Sequence, residues 1–137
     1  GRAMTLKRGV GPSRQADERT SRRQADERAG RAAESLAAFV LRLKGYRILA
    51  RRFRGIRGEV DLIARKRGVL AFVEVKRRTD LATALESVSP RQRARIAAAA
   101  EEFVARAPHL ARLAIRFDAV AIVPGALPRH VKDAWRP

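Results

Sequence analysis

The stretch Val69–Lys76 (VLAFVEVK) constrains the fold more than any other segment. Side chains on a strand alternate between faces, so Val69, Ala71, Val73 and Val75 share one face while Leu70 and Phe72 begin the other. A strand apolar on both faces belongs in the middle of a sheet covered on both sides. Its second face ends in Glu74 and Lys76. Two charges at the end of a buried strand carry a desolvation cost that requires partners or a ligand.

The rest of the chain supplies the covering layers. Ala33, Leu36, Ala37, Val40 and Leu43 recur at helical spacing and Gly45 provides a stop, which predicts a helix over 31–44. Tyr46–Arg54 reads as a strand with poor alternation, and Val60–Ala64 as a second, joined to Val69–Lys76 by a short charged loop ending in Gly68. Pro90 opens a long helix through Arg106, with Ile96, Ala99, Ala100, Phe103 and Val104 on one side. Ile115–Val123 is a further strand closed by Pro124 and Gly125, and a short strand and helical turn run through Ala134. The order of elements predicts an α/β sandwich with a central mixed sheet flanked by helices, spanning residues 31–137.

Residues 1–30 are different in kind. Apart from Met4, Leu6 and Val10 they lack large apolar residues, and RQADER occurs twice, at Arg14–Arg19 and Arg23–Arg28. A flexible or marginally helical basic arm is expected, with Gly1–Ala3 ahead of Met4 read as a cloning scar.

Charge narrows the function. The 137 residues hold 31 Lys and Arg against 14 Asp and Glu, a net charge of +17, and +12 of it lies beyond residue 33. An excess of this size on one domain points to a polyanion, nucleic acid first and an anionic membrane surface second. Aromatic residues make up only 5% of the chain, which favours phosphate contact over base stacking. There is no cysteine, and His109 and His130 are the only histidines, so any metal must sit on oxygen ligands. The longest apolar run, Leu36–Leu41, falls far short of the ~18 residues of a spanning helix. No cleavable signal pattern opens the sequence, so a soluble, cytoplasmic protein without membrane attachment is expected.

Upstream of the central strand, Gly58–Ile63 (GEVDLI) carries acids at alternate positions. A hairpin loop of two or four residues sets Asp61 opposite Glu74 or opposite Phe72, and either register brings Glu59, Asp61, Glu74 and Lys76 to one face. Carboxylates directly across two strands have Cβ atoms about 4.5–5.5 Å apart, close enough for one Mg²⁺ to take oxygens from both. A carboxylate pair with a metal and a lysine suits phosphodiester hydrolysis. The bland alternative is a solvated Asp61 and a Glu74–Lys76 ion pair at a sheet edge. It stays open at this stage, because Glu-x-Lys is a common tripeptide.

GEVDLIA (Gly58–Ala64), FVEVKRR (Phe72–Arg78) and RFDAVAI (Arg116–Ile122), with Glu34 on the preceding helix and a Pro-opened basic helix between the last two blocks, resemble the YraN family. That family is similar to Holliday junction resolvases of the PD-(D/E)XK, or restriction-endonuclease-like, superfamily. The resemblance runs from about Gly30 to the C-terminus. It implies Asp61 and Glu74 as ligands of Mg²⁺ or Mn²⁺ with the Val75 carbonyl, and Lys76 as the catalytic lysine. Glu34 would hold a metal-bound water or a second ion, and Gln92 would contribute from the following helix. DNA, branched or otherwise structured, is the implied substrate, and a homodimer the form junction resolvases commonly take. A nucleic-acid-binding module with this fold and little cleavage is the alternative. The metal reading requires Glu34, Asp61 and Glu74 to converge.

Other residues are read from the sequence itself. Arg77, Arg78, Arg91, Arg93 and Arg95 flank the site as a candidate phosphate-binding rim. Asp118 reads as a structural acid paired to an arginine, Trp135 as a cap on the core, and a ligand role for His109 or His130 is disfavoured. Glu59 is as much a pairing acid as a functional one.

Overall fold

The computed structural model describes residues 2–137, with side chains from Arg14 onward. Of the Gly1–Ala3 segment read as a cloning scar, Gly1 falls outside them. The chain divides into two units, Gly1–Ala32 and Ala33–Pro137.

Helix α1 spans Arg2–Leu43, so it begins far earlier than the 31–44 that apolar spacing predicts. Apolar periodicity detects only the buried turns. Within the first unit residues 14–28 are all exposed. Arg, Gln, Ala and Glu are good helix formers, and Glu18/Arg22 and Glu27/Arg31 stand at the favourable i, i+4 spacing of opposite charges. Nine residues are two and a half turns, so the two RQADER copies occupy opposite sides of the helix.

In the second unit the strands β1 (Arg47–Arg54), β2 (Glu59–Lys66), β3 (Val69–Arg77), β4 (Ala114–Ile122) and β5 (Arg129–Val131) form one sheet in the order β1-β2-β3-β4-β5. Only the β3–β4 pair is parallel. The crossover between them carries two helices, α2 (Leu81–Glu86) and α3 (Pro90–Arg106), of which the shorter α2 has no apolar period long enough to reveal it. A 3₁₀ turn, Pro108–Leu110, follows and contains His109. The architecture is the α/β sandwich that the order of elements predicts.

Two cores lie on the two faces. Ala37, Ala38 and Leu41 of α1 pack with Tyr46, Leu62, Ala64, Ala71, Val73 and Val120. Ile96, Ala99 and Ala100 of α3 pack on the other face with Ile63, Leu70 and Phe72, and Trp135 closes that core, stacked on Phe117 at 6.1 Å. The central strand is buried on both sides as its composition requires: Leu70, Ala71, Phe72 and Val73 are fully buried.

The β2–β3 register pairs Leu62 with Val73, Ile63 with Phe72 and Lys66 with Val69, around a two-residue turn. This is the first of the two expected registers, the one that aligns Asp61 with Glu74. The β1–β2 hairpin is held against α3. Gly55 N–H donates to Gly58 O, Ile56 N–H donates to the Glu102 carboxylate at 2.9 Å, and Gly58 lies so close to α3 that a Cβ would stand 1.9 Å from the Arg95 carbonyl oxygen.

Candidate active site

The β2–β3 ladder ends at Leu62–Val73, and beyond it the strands part. In the gap the Asp61 carboxylate replaces a ladder carbonyl, with Oδ2 accepting from Val75 N–H at 2.8 Å. The strict alternation of β2 also breaks here. Leu62 packs in the α1-side core, whereas Val60 and Ile63 both pack in the α3-side core. Facing Asp61 across the β1–β2 ladder is Arg52, between the pairs Arg51–Leu62 and Phe53–Val60, in the left-handed conformation at φ 52°. That conformation is uncommon for a residue with a side chain. It lets Arg51 and Arg52 both reach α1, where they donate to Ser35 Oγ and to Glu34 Oε1, each at 2.8 Å.

Glu74, 5% exposed, lies beside Asp61. Burial pushes its carboxyl up to about 8, and the neighbouring Asp61 charge and hydrogen bond push the same way. The Lys76 ammonium, 3.7 Å from Glu74 Oε2, opposes the shift without cancelling it. Gln92 approaches from α3 and donates its amide to Glu74 Oε2. Its own position follows from the helix start: Ser89 is the N-cap, Pro90 follows, and Ser89 Oγ accepts from Gln92 N–H at 3.1 Å.

The four residues Asp61, Glu74, Lys76 and Gln92 are therefore brought together. Glu34 does not join them: its buried carboxylate is engaged by Arg52, so the convergence of Glu34 with Asp61 and Glu74 expected of the metal site is not met. Among the described residues no group of three or more His, Asp or Glu side chains is arranged to hold a metal ion. What remains is a pair of hard carboxylate oxygen donors whose mutual repulsion is incompletely offset. That donor set fits a hard divalent cation supplemented by main-chain and water oxygens, and Val75, whose N–H fixes Asp61, is the adjacent main-chain residue.

The expected basic rim is mixed. Arg91 is exposed and lines a groove of about 280 Å³ with Glu59, Ser89, Gln92 and Arg95 beside the site. Arg95 stands 3.4 Å from Glu59, which Arg54 approaches at 3.9 Å, so Glu59 is a pairing acid. Arg93 Nε donates to Val88 O at 3.0 Å and braces the helix start. Arg77 and Arg78 are exposed at the end of β3.

Asp118 is a structural acid, as its setting in the sequence suggests. It is fully buried and takes two hydrogen bonds from Arg116, at 2.8 Å each, one from His130 and one from Asp133 N–H. Sequence reasoning missed the rest of this cluster. Tyr46 Oη accepts from Arg116 and Lys44 contacts His130, both across long sequence separations that no local pattern signals. The pairing of Arg52 with Glu34 is equally hidden, since no local pattern marks the positive φ of Arg52.

An open mixed sheet with an acidic pair and a lysine where two central strands part defines an α/β domain with one concentrated polar site. The chain belongs to Uncharacterised protein family UPF0102, whose family model matches residues 33–122. It is 54% identical over 117 residues to a UPF0102 protein of Paramagnetospirillum magneticum, covering 82% of this chain and 91% of the relative. A UPF0102 protein of a Caulobacter species is 46% identical over 132 residues, covering 96% and 94%, and one of a Chelativorans species is 50% identical over 120 residues, covering 88% and 96%. Among the described residues no helix is long and apolar enough to cross a membrane.

Proposed function

We propose that this protein is a metal-dependent endonuclease of restriction-endonuclease-like type that hydrolyses phosphodiester bonds in DNA, with branched or structured DNA as its substrate. The observation that carries the reading is the buried juxtaposition of Glu74 with Asp61 beside Lys76. Two carboxylates held together against their repulsion favour a divalent cation, and a degenerate site has no physical reason to keep them so. Mg²⁺ or Mn²⁺, when bound, lowers the pKa of water and offsets charge on the phosphate. Asp61 and Glu74 would supply its carboxylate oxygens, with Val75 contributing its carbonyl. Lys76 Nζ is positioned to orient the attacking water and to stabilise the negative charge that develops on the phosphate. Gln92 fixes the Glu74 carboxylate, and Arg91, with Arg77 and Arg78, offers the backbone contacts that hold a duplex in register. On this reading the protein works in the cytoplasm on chromosomal DNA, as a homodimer where the substrate has two scissile strands.

A second reading, a nucleic-acid-binding module with little cleavage, is favoured by one observation: Glu34 is engaged by Arg52 and does not reach the pair. Cleavage assays on linear, flapped and four-way junction DNA with Mg²⁺ or Mn²⁺ separate the two. The nuclease reading expects cleavage that Asp61→Ala and Lys76→Ala abolish. Cleavage surviving both substitutions would refute it, and salt-sensitive binding without any cleavage would establish the module.

A further inference from the structure

On the α1 face of the sheet, remote in function from the acidic pair, Lys44, His130 and Asp118 form a chain of hydrogen bonds. Lys44 Nζ lies 2.5 Å from His130 Nδ1, and His130 Nε2 lies 2.8 Å from Asp118 Oδ2. Asp118 is ionised: burial pushes its carboxyl up, but hydrogen bonds from His130, Arg116 and Asp133 N–H outweigh that and hold it at about 2. An ionised carboxylate at Nε2 requires the proton on that nitrogen, which leaves the Nδ1 lone pair facing the lysine. The His130 side chain is 2% exposed and its ring meets Tyr46 edge-on at 5.6 Å, so the imidazole is fixed in orientation. Lys44 itself is only half-buried, at the end of α1.

The arrangement is that of a nucleophile, a base and a group orienting the base, with an amine as the nucleophile. Its surroundings are cationic. Lys66 of β2 donates to the Lys44 carbonyl oxygen at 2.6 Å, Arg116 of β4 reaches Tyr46 Oη, and Lys132 follows β5. Burial lowers the Lys44 ammonium from its ordinary value, Lys132, Lys66 and Arg116 lower it further, and Asp118 acts in the opposite direction. The amine form therefore gains at neutral pH, and the same cations attract an anionic reagent.

We propose that Lys44 is a reactive amine, acylated by acyl phosphates with His130 as the base. The neutral Lys44 Nζ attacks the acyl carbon and forms the C–N bond. One N–H proton passes to His130 Nδ1, and the C–O bond to phosphorus breaks with its electron pair leaving on inorganic phosphate. The products are an amide on Lys44, free phosphate, and an imidazolium that Asp118 stabilises until it loses its proton to water.

The test uses the full chain and acetyl phosphate, with acetylation of each lysine followed by peptide mass spectrometry from about pH 6 to about pH 9. Lys44 is expected to react several-fold faster than the exposed Lys132 at neutral pH, because His130 stands ready to take its proton. Inorganic phosphate, competing with the anionic reagent for the same cations, should slow Lys44. His130→Gln, checked for an unchanged thermal transition, should bring Lys44 to the rate of Lys132. Equal rates for Lys44 and Lys132 in the unaltered protein would overturn the proposal whatever the variant does.

Discussion

Replacing Glu74 by Gln tests the electrostatics of the acidic pair without any assumption about substrate. The Glu74 carboxyl is raised from an ordinary 4.5 to about 8 by burial and by Asp61. A folded pKa above the unfolded one means that the native state binds more protons, so its stabilising contribution is complete below about pH 4.5 and is lost as pH rises through 8. At about 1.4 kcal/mol per unit, the full loss is on the order of 4–5 kcal/mol, a large part of the ~5–15 kcal/mol that a domain has. Urea unfolding in EDTA from about pH 5 to about pH 8.5 should show stability falling toward alkaline pH. The neutral isostere in Glu74→Gln should flatten that slope and leave the variant more stable than the parent at the alkaline end. Mg²⁺ should restore stability to the parent at alkaline pH by mass action, and should do so far less for Glu74→Gln. A flat profile in the parent, or the same slope in the variant, would refute the account of the pair. A sloping profile that Mg²⁺ does not alter would leave the electrostatics intact and refute the metal site.

Asp118→Ala removes the acceptor of Arg116, His130 and Asp133 N–H, and should destabilise the domain by about 3–5 kcal/mol in chemical denaturation, the range for breaking a buried ion pair. The depressed Asp118 carboxyl contributes stability above its ordinary 3.8 that is lost as pH falls toward about 2, so the parent should show an acid-unfolding limb that the variant lacks. Gly58→Ala should lower stability by at least about 1–3 kcal/mol, because its Cβ meets the α3 main chain and not a side chain that can swing away. Thermal unfolding of the variant checks this.

Much of the candidate site is legible from local pattern. Asp61, Glu74 and Lys76 are recognised from a doubly apolar strand ending in charges and from the parity of one hairpin, both consequences of the period-two geometry of strands. Gln92 comes from the family resemblance, and the Ser89 cap that positions it is seen only in the structure. The partner of Glu34 is not legible in the sequence, because it is supplied by Arg52, a non-glycine residue at positive φ that no local pattern marks. Helix α1 is underestimated because apolar periodicity is silent where a helix is exposed on all sides.

The amino-acid sequence by itself determines the succession of strands along the chain, the burial of β3 on both faces, the parity of the β2–β3 register and the concentration of acids at the end of that strand. Each depends on neighbours along the chain or across one tight turn, where spacing dictates geometry. Tertiary structure alone decides which charges meet: Arg52 takes Glu34, Arg95 approaches Glu59, Gln92 reaches Glu74, and Lys44 finds His130. Ion pairs and hydrogen bonds act over a few ångströms between residues brought close by packing, so their partners are settled only once the helices are laid on the sheet.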